Sequence, residues 1–83
     1  MTKAGKLIAR MRANPSGWRL STLETIARRN GIQVRKTGGR HHVFMHPRAD
    51  LVVTIPVKRP IKPVYIVFFL ALLDAIDEKE TDA

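Results

Sequence analysis

The chain has 83 residues, with fifteen Lys or Arg against seven Asp or Glu, three His and no Cys. That length allows one domain, and with no Cys neither a disulfide nor a thiolate-held metal can staple it, so an efficient apolar core or a partner chain must. The basic N-terminus lacks the apolar stretch of a signal peptide and the longest apolar run, Val64 to Leu73, is about half a membrane span, so a soluble, cytoplasmic domain with no membrane partner is expected.

Charge is distributed unevenly. Residues 1–73 hold fourteen Lys or Arg against only Glu24 and Asp50, a net charge of +12 with His neutral. Such a field gathers polyanions, of which nucleic acid is the commonest in a cell. A solvated basic surface that merely keeps the protein dissolved is the plainer alternative.

In chain order, residues 3–12 suit a helix with Leu7, Ile8 and Met11 on one side. Asn14-Pro15-Ser16-Gly17 then breaks the chain, so residues 1–17 read as a loosely docked N-terminal helical appendage. A second helix follows. Ser21-Thr22-Leu23-Glu24 has the form of a capping box, Leu20, Leu23, Ile26 and Ala27 share a face, and Asn30-Gly31 supplies a left-handed stop. Ile32 to Lys36 alternates apolar and polar as a half-buried strand should, and Thr37-Gly38-Gly39-Arg40 is a hairpin turn. His41 to His46 forms a second strand closed by Pro47, and the β-branched run Leu51 to Val57 a third, with Pro56 at an edge or an end. Pro60 and Pro63 introduce a last helix from about Val64 to Asp77, followed by an acidic tail over 79–83. Residues 18–78 therefore predict an α+β two-layer sandwich, with helices on one face of a three-stranded antiparallel sheet and the other face open.

The last helix is apolar on every side from Tyr65 to Leu73, whereas a surface helix of a small domain normally keeps a polar face. Either the helix is wedged deep between the sheet and the first helix or, as favoured here, two or three large side chains, with Phe68, Phe69 and Leu72 the candidates, emerge as an interface for a second copy or a partner.

Chemistry concentrates in Lys36 to Pro47, where all three His follow a Gly pair and two cations. Imidazole is the side chain that takes and gives a proton near neutrality, cations clamp phosphate, and Gly lets a backbone approach one closely. Strand alternation puts His41, Val43 and Met45 on one face and His42, Phe44 and His46 on the other, where Phe44 is the natural core residue and the two His its packing neighbours. The His42 and His46 spacing suits a metal on a helix, not on a strand, and no Cys is present, so neither a metal nor another cofactor is expected. No Ser–His–Asp arrangement is present either.

The run from Asn30-Gly31 through Ile32-Gln33-Val34-Arg35-Lys36-Thr37-Gly38-Gly39-Arg40-His41-His42-Val43-Phe44-Met45-His46-Pro47 to Val53-Thr54-Ile55-Pro56 resembles the HicA family, the small toxins of type II toxin–antitoxin pairs. The likeness covers roughly residues 18–77. It implies a fold like the double-stranded RNA-binding domain and ribosome-independent cleavage of single-stranded mRNA by one His on the second strand. It also implies a HicB-type antitoxin that covers the site. By position that His is His41. Where the family commonly has Ser before it, this chain has Arg40, and basic residues usual early in the last helix are replaced by Val67, Phe68 and Phe69. On this reading His41 takes the 2′-OH proton, and Lys36, Gly39, Arg40, Lys58 and Arg59 hold the phosphate as it gains charge. Either His41 or a water returns the proton to the leaving group. Two other classes stay open: a nucleic-acid-binding module without catalysis, and a partner-docking subunit that associates through the last helix.

Overall fold

Three helices and a three-stranded antiparallel sheet form an α+β fold in the order α1 (Lys3–Ala13), α2 (Leu20–Arg29), β1 (Gln33–Thr37), β2 (His41–Met45), β3 (Val53–Pro56) and α3 (Pro63–Asp82). The structure is a computed structural model that describes residues 3–58 and 60–82, with side chains described for 5–58 and 60–77. Among the described residues no helix is long and apolar enough to cross a membrane.

Local sequence explains most boundaries. α2 ends where Gly31 takes φ +70°, which returns the Gly31 N–H to the Arg28 carbonyl and the Ile32 N–H to the Ala27 carbonyl at 2.8 Å. Its start differs from expectation. Arg19 is the N-cap residue, no side chain caps the helix, and Ser21 lies inside the first turn. The Glu24 carboxylate is thereby free for other partners.

The sheet is a meander, β1-β2-β3, with Thr37 opposite His41, His41 opposite Pro56 and Phe44 opposite both Val34 and Val53. Period-2 alternation sends Phe44, Val53 and Ile55 into the core with Leu23, Ile26, Ile66 and Phe69. Phe44 and Phe69 meet edge to face at 5.4 Å between ring centres, an arrangement that fixes how α3 lies on the sheet. The opposite face, carrying Arg35, Thr37, His41 and Thr54, is exposed.

The N-terminal helix is not a loose appendage. Met11 is 0% exposed within the core, Leu7 and Ile8 pack against it, and α1 lies on α3. Both Arg12 guanidinium nitrogens donate to the Asp74 carboxylate, one of them at 3.1 Å, and this hydrogen bonding raises the Arg12 pKa above its ordinary value. The apolar surround of α3 therefore has an intramolecular explanation, since β3 and α1 both cover it. Phe69 and Leu72, expected at an interface, are fully buried in the chain's own core; Phe68 is exposed, along with Val64 and Val67. α3 itself runs on through Asp82, past the boundary drawn at 78.

Candidate functional site

Several chain segments converge at one end of the sheet. The β1–β2 turn lies there, as do the ends of β1 and β3, because Thr37, His41 and Pro56 form one cross-strand row. The Val57 N–H donates to the Arg40 carbonyl at 2.8 Å, which ties the exit of β3 to the turn. α2 ends where β1 begins, so its start also points to this end. Lys36, Gly39, Arg40, His41 and Lys58 are thus brought to one pole of the fold, while Arg59 lies outside the described residues.

The turn owes its glycines to backbone shape. Gly38 and Gly39 have φ +58° and +73°, as a primed hairpin turn requires, and the Arg40 N–H closes it onto the Thr37 carbonyl at 3.3 Å. A Cβ at either glycine would meet no atom within 4 Å. Positive φ calls for Gly at both positions, and no atom of the chain crowds them.

The three His have distinct surroundings. His41 is exposed at the first position of β2, on the open face, and its carbonyl accepts from the Thr37 hydroxyl at 3.4 Å. His42 is 8% exposed on the helix-covered face, with Nε2 3.6 Å from Glu24 Oε1 and a buried Nδ1 that has no partner among the described residues. His46 accepts the Arg48 N–H at Nδ1, 3.0 Å away, and its ring packs over Gly31, so it organises the turn after β2. Among the described residues no group of three or more His, Asp or Glu side chains converges to hold a metal.

The expected phosphate ligands divide between the two faces. Lys36 shares the parity of His42, with its Nζ 3.7 Å from Glu24 Oε1, so Glu24 stands between the two. Lys36, His42 and Lys58 line a cleft of about 670 Å³ together with Trp18, Arg19 and Glu24. The cation sharing the open face with His41 is Arg35, two residues from Thr37 on the neighbouring strand, a diagonal that long side chains span. Sequence reasoning passed over Arg35, Glu24 and Trp18. Counting parity across the hairpin from the Gly pair would have found Arg35. No sequence pattern separates the capping-box reading of Glu24 from its place in the cleft.

Comparison of the chain with protein-family models, with curated proteins and with solved structures finds no match to any of them.

Proposed function

We propose that this chain is an RNA-cleaving toxin of the HicA kind, with His41 as the proton-transfer group. The observation that carries the reading is the contrast within the His41-His42 pair. His41 is exposed on an open sheet face that it shares with Arg35, and Arg40 precedes it in the turn. An imidazole that exchanges protons with a substrate must be reachable by it, and a phosphate gaining charge needs fixed cations close by. The α2-β1-β2-β3-α3 order with one open sheet face also supports the likeness to a double-stranded RNA-binding domain.

In the proposed reaction the 2′-OH proton passes to His41 as its oxygen attacks the adjacent phosphorus. The bond to the 5′-oxygen breaks, and that oxygen takes a proton from the imidazolium or from water. The products are a 2′,3′-cyclic phosphate and a 5′-hydroxyl. Dependence on the 2′-OH restricts cleavage to RNA. The partners on this reading are single-stranded mRNA and a HicB-type antitoxin that covers the pole. The exposed Val64, Val67 and Phe68 of α3 offer a separate surface for self-association.

The test is cleavage of single-stranded RNA in EDTA by the purified chain and by His41→Ala, with the product ends identified. Cleavage lost in the variant, with cyclic phosphate ends in the wild type, upholds the proposal. Equal cleavage by both, or 3′-hydroxyl ends, refutes it.

One observation favours a second reading, an RNA-binding module without catalysis. The open face around His41 carries Gln33, Arg35, Thr37, Val43, Met45 and Thr54, and no second acid–base side chain among them. Binding that His41→Ala leaves unchanged, with no cleavage by either protein, would establish that reading instead.

A further inference from the structure

The cleft on the helix-covered face is not used by chemistry at His41, yet it is furnished for a ligand. Three cations, Arg19, Lys36 and Lys58, stand around it against the single carboxylate of Glu24. Neither Arg19 nor Lys58 has an acidic partner among the described residues, so both remain open to an anion. The start of α2 lies in the same wall, with no side-chain cap and no acid in its first turn, so its N–H groups add positive potential. Trp18 forms another part of the wall, and its ring is fixed by the Nε1–H donated to the Asn14 carbonyl at 2.6 Å. His42 also lines the cleft, about nine-tenths buried, with Nε2 towards Glu24 and a solvent-inaccessible Nδ1 that has no partner among the described residues.

An indole, two cations without an acidic partner among the described residues and an open helix N-terminus in one cleft match the chemistry of a nucleotide. We propose that the cleft is a nucleotide subsite, in which Trp18 stacks on one base while Arg19, Lys36, Lys58 and the start of α2 hold the phosphate beside it. Glu24 positions Lys36 and His42 rather than touching the phosphate. The inference deepens the RNA reading and rests on it for the path of the strand. The cross-strand partners of His41 are Thr37 and Pro56, and Lys36 and Val57 are their immediate neighbours. A strand with its scissile phosphate at His41 rounds the end of the sheet and delivers a neighbouring nucleotide to the cleft.

Trp18 is the only Trp in the chain, so its fluorescence reports on this cleft alone. The probe is a tetranucleotide with 2′-O-methyl riboses, which 2′-oxygen attack cannot cleave, titrated beside inorganic phosphate at equal ionic strength. The expected result is a saturable change in Trp18 emission with the tetranucleotide and little with phosphate. In Lys58→Ala, an exposed position that should fold normally, Kd rises about tenfold. The slope of log affinity against log salt falls there by about 0.7. An equal response to phosphate alone reduces the cleft to a simple anion site and overturns the proposal. So does a labelled tetranucleotide that binds by anisotropy without moving Trp18 emission and with equal affinity for Lys58→Ala, or one that does not bind at all. His41→Ala, carried through the same titration and through cleavage of unmodified RNA, separates the two ideas. Wild-type cleavage that the variant loses, without a Trp18 response, leaves the nuclease reading intact and removes the subsite. A Trp18 response with identical cleavage behaviour in both proteins does the reverse.

Discussion

Adjacent His41 and His42 should separate cleanly into one residue that serves chemistry and one that serves the fold. His41→Ala removes an exposed side chain at the first position of β2, so its effect on stability should stay below about 0.5 kcal/mol. Its effect on cleavage should be the full loss of proton transfer, about 10²–10⁴-fold. His42→Ala works the other way. The side chain is about 10% exposed, shares its face with Phe44, and stands against Glu24. Truncation opens a hole beside the core and withdraws one of two partners from a largely buried carboxylate, while also deleting an unsatisfied nitrogen. The net loss should be about 2 kcal/mol, or a fall in melting temperature of roughly 8–16 °C for a domain of this size. Thermal unfolding by circular dichroism and RNA cleavage at a temperature where both variants are folded measure the two axes on the same preparations. If His41→Ala folds and cleaves as the wild type does while a folded His42→Ala is inactive, the reasoning from strand parity fails. The reacting group then lies in the cleft.

Two further substitutions test the frame around these residues. Gly39→Ala meets no neighbouring atom but must hold φ +73°, so it should cost about 1–2 kcal/mol in thermal unfolding; no measurable cost would mean that the turn relaxes freely. Met11→Ala should cost about 2–4 kcal/mol, a large part of the roughly 4–12 kcal/mol expected for a domain this small. An unchanged denaturation midpoint would show that α1 is not part of the core.

The elements were legible wherever local chemistry decides them. The left-handed stop at Gly31, the hairpin at Gly38-Gly39 and Pro63 as the first residue of α3 all lie where residue type alone puts them. Burial of Phe44, with His42 on its face and His41 on the other, followed from a period of two. What could not be read was which helix face meets which neighbour. Phe68 and Phe69 are identical in type and adjacent, and only the angle of α3 across β3 decides that Phe69 enters the core while Phe68 stays 47% exposed. The docking of α1 was hidden for a related reason. Pro15 and Gly17 mark a break in the chain, but a break does not say whether the helix before it folds back.

The site shows the same division, and it changes the assignment of the cations. Lys36 and Arg35 are neighbours with the same charge, and composition treats them alike. The hairpin register does not, because it pairs Thr37 with His41 and so gives Arg35 to the open face and Lys36 to the cleft. The register follows from the Gly pair, so this part was present in the sequence and needed only to be counted. Glu24 was not recoverable in that way. Ser21 and Glu24 satisfy the pattern of a capping box, yet the N-cap residue is Arg19, two residues before Ser21, and the carboxylate turns to Lys36 and His42. A capping hydrogen bond is worth about 1 kcal/mol, but with Arg19 as the N-cap residue Ser21 lies inside the first turn and the box cannot form. The earlier start of α2 therefore turns Glu24 towards the cleft wall and leaves the helix start uncapped beside Lys58 and Trp18. The misread cap and the overlooked cleft have one physical cause.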